Sequence, residues 1–496
     1  MADFDADAPV LVAVGEASGK SLGLEWPTPS DLAGAAIKAA LSDSGQSARL
    51  AAATDCIVAI RTFEDSGVPL GTGSPDNVPQ AYARAGGLDP RHLIYSDIGG
   101  QVPQAQVNQF AGAVQRGEYK AVMIVGAEAN GTAKRARKAG LTLDWRMPSD
   151  QAFIDLLTPF PILSRAEIRH GIVSMPLAYS LIETARRARR GMDRANYEAE
   201  MASLWANFSQ KSLTREHAQF AQQWSGEALQ SGGDGNYQLT DIYRRWMVAQ
   251  DAVDVAAAAV LTTAGTAREI GIADDKMIWL TGAAEAADPP ISERTNLSGS
   301  DAQAFAVNAA LDQAGIAAAD LGPVDIYSCF PCAVFAALDG MGVPERAQGS
   351  YTLTGGLTFF GGPGNGYVLH SLTAMVQTLR RDGRKPAMIT ANGGVMSKQA
   401  VGIYTAAQPR RRWPGAPQQG YQAAAVALDH APAGKGRILT FTQPVVKDRA
   451  GAAILLLAME SGARALAVLG DPPPVDLVGR IVSVTAGEKR HIAALV

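Results

Sequence analysis

The sequence predicts an α/β protein of two similar halves, with a helical insertion between them and a small all-β, barrel-like domain at the C-terminus. Three observations carry this. Short apolar runs alternate with glycine-ended, amphipathic stretches before residue 130 and again after residue 276, the pattern of strands layered with helices. Residues 30–45 read SDLAGAAIKAALSDSG and residues 300–315 read SDAQAFAVNAALDQAG. At a constant offset of 270, Ser30/Ser300, Asp31/Asp301, Ala36/Ala306, Ala39/Ala309, Ala40/Ala310, Leu41/Leu311 and Gly45/Gly315 are identical. After Thr405 the chain becomes rich in Arg and Pro, then turns into short apolar runs punctuated by Gly and Pro, as in small barrels or sandwiches.

Taken in order, residues 10–14 form a short apolar strand. Ser30-Asp31 open a helix that runs to about Leu41 and closes at Gly45. Strands follow over 56–61 and 93–98, the latter ending at Gly99-Gly100, with a short helix over 79–84 between them. A helix over 104–115 and a strand over 121–125 come next. The repeat register reaches Asp55/Asp325, each just before a strand, and residues 120–125 and 386–391 are strands after glycine-ended helices. The first half is therefore residues 1–129 plus 246–275 and the second is 276–407. Residues 130–245 form the insertion, with helices over 175–190 and 197–213. Residues 408–418 are a linker, and 419–496 the added β domain, with strands over 423–427, 437–441, 453–457, 465–469 and, after Pro472-Pro473-Pro474, 478–484.

Composition bounds the function. The 496 residues are 47% hydrophobic and 19% charged, as in soluble globular proteins. A net charge of −4 draws the chain to neither nucleic acid nor membrane, and no apolar run is long enough to span a bilayer. The acidic opening MADFDADAP lacks the pattern of a secretory leader. Three cysteines make no disulfide framework, so a reducing compartment, the cytoplasm, is expected.

Two stretches carry chemistry. Residues 355–383, GGLTFFGGPGNGYVLHSLTAMVQTLRRDG, read as a glycine-rich loop entering a helix. Free N–H groups at such a helix start suit an anion or a polarised carbonyl; a tight turn without ligand has the same signature. Residues 324–339, VDIYSCFPCAVFAALD, pass from strand through a sharp turn into a helix, where α/β folds gather ligand groups. Cys329-Phe330-Pro331-Cys332 can be a redox pair, half a zinc site or two small buried thiols. Cys56 is the only other cysteine, so no zinc site closes and no metal is expected. Of six histidines only His370 is near these motifs, and its position reads as packed or capping. The glycine loop lacks the Lys-Ser/Thr of a P-loop. The basic clusters at 134–138 and 186–190 read as solvated faces or as contacts for a phosphate-bearing ligand, and lack the aromatic interleaving of nucleic-acid binders.

Three segments, Tyr327-Ser328-Cys329-Phe330, Gly361-Gly362-Pro363 and Ala391-Asn392-Gly393-Gly394, together with the duplication and insertion, resemble the thiolase superfamily over roughly residues 8–405. The chain is most similar to sterol-carrier-type thiolases and to type 1 thiolase-like proteins with an added β domain. The resemblance implies βαβαβαββ halves in α-β-α-β-α layers, and coenzyme A or acyl-CoA as substrate or ligand, with no cofactor held covalently. Family members, acetyl-CoA acetyltransferases among them, make or break a C–C bond beside a thioester. They use a nucleophilic cysteine, a second cysteine that moves the proton, and histidines with an oxyanion hole. Carried over residue by residue, these four side chains fall at Gly100, near Ala391, at Tyr327 and at Gly362, and none is present.

What the resemblance then implies is a cavity with backbone donors near Gly99, Gly100, Gly362, Gly364, Gly393 and Gly394, lined by Ser328, Cys329, Pro363, Asn365 and Asn392, without the family's acyl-enzyme. Lys134, Arg135, Arg186 and Arg187 would meet the CoA phosphates. Two functions follow. One is aldol-type C–C cleavage with Tyr327 as acid/base, the C-terminal domain standing in cis for the small barrel partner of such relatives; the other is acyl-CoA binding without turnover. Tyr327 can equally be a packed core residue, and a thiol redox protein using Cys329 and Cys332 is a third reading. Family thiolases are dimers or tetramers; an appended domain can block that interface, so a monomer or homodimer is expected.

Overall fold

In the computed structural model, residues 6–158, 162–233, 235–343, 351–473 and 476–496 are described. The first five residues of the acidic opening, and Pro474 of the proline run, lie outside them. Ten strands form one sheet: β1 (Pro9–Ser18), β2 (Thr54–Ala59), β3 (His92–Tyr95), β4 (Ala121–Ala129), β5 (Ile154–Asp155), β6 (Asp254–Thr263), β7 (Ile278–Ala287), β8 (Val324–Asp325), β9 (Ala387–Gly393) and β10 (Lys398–Thr405). Their order is β5-β3-β2-β4-β6-β1-β7-β10-β9-β8. The sheet records the duplication. In β2-β4-β6-β1 and in β8-β9-β10-β7 the first pair is parallel and the next two are antiparallel. The halves meet through their first strands, Val10 opposite Trp279 and Leu11 opposite Ile278.

The repeated alanines have a packing reason. A Cβ on Gly15 of β1 would overlap the backbone of Ala36 and Ala40, and one on Gly282 of β7 would overlap Ala310. Each half thus presses a helix backbone directly onto its first strand, which only small residues permit. The helices are Pro29–Asp43 and Asp301–Ala314. Ser300 caps the second, as the repeat implies, but Thr28 rather than Ser30 caps the first. Thr28 Oγ1 accepts from the Asp31 N–H at 3.1 Å, Asp31 returns the bond, and Pro29 presets the first turn. Helices Val102–Gln115 and Tyr367–Arg381 touch each other and strands of both halves, forming the central layer. β4 and β6 are buried along their whole length, which accounts for their unbroken apolar character.

The insertion is less helical than expected. Helices Asn130–Lys138, Arg165–His170, Met175–Arg189, Arg194–Ser212 and Gly226–Gln230 are present. Residues 139–153 contain no helix, and β5 then pairs in parallel with the outer edge of β3, Ile94 opposite Ile154. This covers an edge that would otherwise present free backbone groups. No helix among the described residues is long and apolar enough to cross a membrane.

Beyond the linker, β11 (Gly434–Thr442), β14 (Ala453–Met459), β15 (Arg464–Leu469), β16 (Ile481–Thr485) and β17 (Ile492–Leu495) close a barrel in the order β11-β14-β15-β17-β16. The two-residue β12 (Val445–Val446) and β13 (Arg449–Ala450) form a small ribbon. Residues 423–427 are not a barrel strand; Ala425 makes only an isolated bridge to Arg294. β17 supplies the missing strand, and it escapes a period-two reading because Ile492 and Leu495 face outward with Ala493 in the core.

Candidate functional site

The loop after β3 turns at Gly99, whose φ of 134° favours glycine, and delivers Gly100 to the start of the Val102–Gln115 helix. A Cβ on Gly100 would overlap the Tyr327 hydroxyl and lie 2.5 Å from its Cζ and 2.6 Å from the Asn392 carbonyl oxygen. Tyr327 therefore occupies the space into which a side chain at position 100 would project. It follows β8, donates its N–H to Thr390 Oγ1 at 3.2 Å, and sets its ring edge-to-face on Tyr367 at 5.6 Å. It is buried, and its hydroxyl has no hydrogen-bond partner among the described residues. Burial, with Cys329 and Tyr367 nearby, pushes its pKa well above the ordinary phenol value. It holds its proton and can give it, but does not stand ready as a phenolate base.

Two buried acceptors flank it. The Gln101 side-chain oxygen sits where Gly99 and Gly393 lack a Cβ, and Asn392 Nδ2 approaches Tyr179 Oη at 3.4 Å and Cys329 Sγ at 3.6 Å. Neither Gln101 Oε1 nor Asn392 Oδ1 has a donor; such a buried acceptor costs about 1–3 kcal/mol. Tyr179 ties the floor together. Its hydroxyl donates to the Gly394 carbonyl at 3.0 Å and accepts from the Met396 N–H at 3.2 Å, and its ring stacks on Phe330 at 4.0 Å.

Several expected ligand groups are already spent. The Gly99 N–H donates to Asn365 Oδ1 at 2.9 Å, the Gly362 N–H to the Gln250 carbonyl at 2.7 Å, and the Gly364 N–H to the Gly362 carbonyl at 2.9 Å. These three do not form an oxyanion hole as they stand. Asn365 is a clamp rather than a ligand group, since its Nδ2 also donates to the Arg61 carbonyl at 2.7 Å and to Ser66 Oγ at 3.0 Å. Pro363 shapes the turn before it. Ser328 Oγ, fully buried, accepts from the Leu357 N–H at 3.4 Å. Gly100, Tyr327, Asn392 and Gly393 remain as one cluster, with Cys329 beside it.

The basic residues do not converge. Arg186 is buried against Asp339 at 2.5 Å, and Arg187 pairs with Asp476 at 2.6 Å beside the barrel, so burial withdraws both from any phosphate. Lys134 and Arg135, half exposed, pair with Asp251 at 2.5 Å and Asp254 at 2.8 Å. Both thiols of the C-x-x-C are buried. Burial pushes Cys329 up to about 12 and Cys332 well above its ordinary value. The Cys332 N–H donates to the Glu183 carboxyl at 3.0 Å, which occupies the helix N-terminus a thiolate would need. His370 is packed, as expected, bonded to Glu16 at 2.7 Å beside Arg215.

Sequence reasoning missed Gln101, Tyr179 and Glu128. Glu128 interrupts the apolar β4, which was a usable signal. It accepts from the Phe63 N–H at 2.8 Å, lies against Gly364, and is raised to about 8 by burial. Nothing in sequence marks Gln101 beyond its place after two glycines.

No family model and no curated sequence matches the chain. Solved structures do. A monomeric SCP2-thiolase-like protein type 1 from Mycobacterium smegmatis is 31% identical, with TM-score 0.83 over 99% of this chain and 100% of that one. The dimeric peroxisomal thiolase of Saccharomyces cerevisiae is 12% identical, with TM-score 0.59 over 81% of this chain and 98% of its own. The Ltp2-ChsH2(DUF35) aldolase is 17% identical, with TM-score 0.58 over 80% and 98%. With the duplicated sheet, the central helices and the added barrel, the full-length likeness at 31% identity places the chain in the thiolase superfamily, among the SCP2-thiolase-like proteins of type 1.

Proposed function

We propose that the protein binds acyl-CoA and acts on it without an acyl-enzyme, by aldol-type C–C cleavage in which Tyr327 moves the proton. The observation that carries this is the Tyr327 hydroxyl, unpaired and set over Gly100 at the start of the Val102–Gln115 helix. In a 3-hydroxyacyl-CoA the bond between the α and β carbons breaks, the hydroxyl oxygen becomes a carbonyl, and the electron pair passes into the thioester as an enolate. The helix N-terminus favours that negative charge. As the bond breaks, Tyr327, neutral at working pH, gives its proton to the α carbon while its oxygen takes the proton of the substrate hydroxyl in the same step, so no proton is gained or lost. An aldolase shares this fold, so the scaffold accommodates such chemistry.

The CoA phosphates would compete with Asp251 and Asp254 for Lys134 and Arg135. The barrel, in the same chain, would take the place of a separate barrel partner. A monomer is the favoured state, in line with the monomeric SCP2-thiolase-like protein that the chain resembles. Three free, buried thiols fit the reducing cytoplasm. The second reading, binding without turnover, is favoured by one observation: Gln101 and Tyr327 fill the space around Gly100.

The test is calorimetric titration with coenzyme A, acyl-CoAs and 3-hydroxyacyl-CoAs, each mixture then assayed for cleavage products. Cleavage that falls about 10²–10⁴-fold in Tyr327→Phe supports the lyase. Binding with no products supports the second reading, and no binding at all overturns both.

A further inference from the structure

A groove of about 610 Å³ runs beside Gly100 rather than over it. Its floor is one face of the Val102–Gln115 helix, Val102, Ala105, Gln106 and Gln109, at the spacing that aligns helical side chains. Its walls are the end of β7, the start of β10 and residues 419–421. The β10 wall backs onto the site, since Lys398 pairs with Gly393 and Gln399 with Asn392. Gln101 belongs to both places: it lines the groove, and its side-chain oxygen plugs the notch between Gly99 and Gly393.

The lining selects a ligand class. Its charges are met within the protein: Lys398 faces Asp97 at 3.5 Å, and the Glu285 carboxylate accepts from Asn108 Nδ2 at 3.2 Å. Among the described lining residues Lys398 is the one cation, and it is already paired, so none is in surplus for a phosphate. Amides and alanines dominate, five glutamines and three alanines among the lining residues. Amides both donate and accept, so such a surface suits an uncharged chain that carries hydroxyls, and the volume lies within the usual range for small-molecule sites.

We propose that this groove holds the acyl group of the substrate, an uncharged, hydroxyl-bearing chain much larger than acetyl, and that Gln101 is the gate through which it reaches Tyr327. This rests on the acyl-CoA reading above. Rotation of Gln101 out of the Gly99–Gly393 notch joins groove and site, and the incoming hydroxyl replaces nothing but an unpaired contact.

The full-length protein and Ala105→Trp, which fills the floor from its half-buried side, are titrated with three probes: acetyl-CoA, 3-hydroxydodecanoyl-CoA and the CoA-free neutral amphiphile 1-dodecanoylglycerol. Gln109→Trp, at the exposed end of the same face, serves if Ala105→Trp does not fold. The expected result is a loss of about tenfold or more in affinity for 3-hydroxydodecanoyl-CoA with acetyl-CoA changed less than about twofold, and faster association of the long thioester with Gln101→Ala. If wild type binds both thioesters and the tryptophan changes neither, or both equally, the groove assignment falls and the acyl-CoA reading stands. If no thioester binds but 1-dodecanoylglycerol binds and Ala105→Trp abolishes it, the groove stands and the acyl-CoA reading falls. If no probe binds, both fall.

Discussion

At Gly100 a side chain would have no room, because Tyr327 occupies the space. The Tyr327 hydroxyl and Cζ stand where a Cβ would go, so Gly100→Cys restores a thiol in sequence without restoring room for it. That variant should lose about 1–3 kcal/mol of stability from overpacking and give no thiolysis. Tyr327→Ala should recover part of the loss, so the double variant is less destabilised than the sum of the singles by about 1 kcal/mol or more. Urea denaturation of the four proteins measures this, and strict additivity would overturn the placement of Tyr327. Residue identities at the site were legible because Gly100, Tyr327 and Gly362 fall on fixed motif positions. Their commitments were not. The Gly362 N–H is taken by Gln250, and the Gly99 N–H by Asn365, from segments remote in sequence.

At the scale of elements, the helix Pro331–Gly340 decides the fate of the C-x-x-C. Its first turn is occupied by Glu183, which also accepts from Tyr243 Oη at 2.5 Å, and burial raises both thiols. Under native conditions at pH 7.5, Cys56, Cys329 and Cys332 should all resist a thiol reagent such as DTNB, and all three should react after denaturation. Native reaction of Cys329 or Cys332 would revive the redox reading. Sequence could not exclude that reading, because the neutralising carboxylate comes from the insertion. The repeat was legible for a physical reason: Ala36, Ala40, Ala306 and Ala310 are required where helix backbones meet Gly15 and Gly282. Its capping residue was misplaced because Ser30 and Ser300 are identical while Thr28 and Pro29 make the better helix start. β5 and β17 were not visible, since a two-residue edge strand and an outward-facing apolar strand carry no core periodicity.

At the scale of the whole molecule, the barrel is fastened to the insertion by apolar packing, Ile454, Leu456 and Leu466 sharing a core with Ile172, Leu177 and Leu181, and by polar contacts, one of which holds a buried histidine. Thr440 Oγ1 donates to the Leu181 carbonyl at 2.6 Å, Arg187 pairs with Asp476, and Arg169 Nη2 donates to the Gly487 carbonyl at 2.7 Å. Between them His170 Nδ1 bonds the Ala166 carbonyl at 2.7 Å, which fixes its proton there, and Nε2 accepts from the His491 N–H at 3.2 Å. A second proton on His170 would break that bond inside a site already facing His491, Arg169 and Arg490. Burial, then those neighbours, lower its pKa to about 4 from an ordinary value of 6.5; the nearby His491 is lowered in the same direction, again mainly by burial. For a depressed folded-state pKa, the unfolded chain takes the proton first on acidification. The stabilisation is therefore complete above pH 6.5 and is lost as pH falls from there toward 4. At about 1.4 kcal/mol per unit, and reduced for the solvent that reaches this junction, the loss is about 2 kcal/mol. Scanning calorimetry at pH 7 should show barrel and core unfolding together, and at pH 4.5 the barrel should separate as an earlier transition. His170→Gln, whose amide oxygen can still accept from His491, should remove most of this pH dependence while leaving the transition at pH 7 within a few degrees; a wild-type acid sensitivity that persists unchanged in His170→Gln would place the sensor elsewhere.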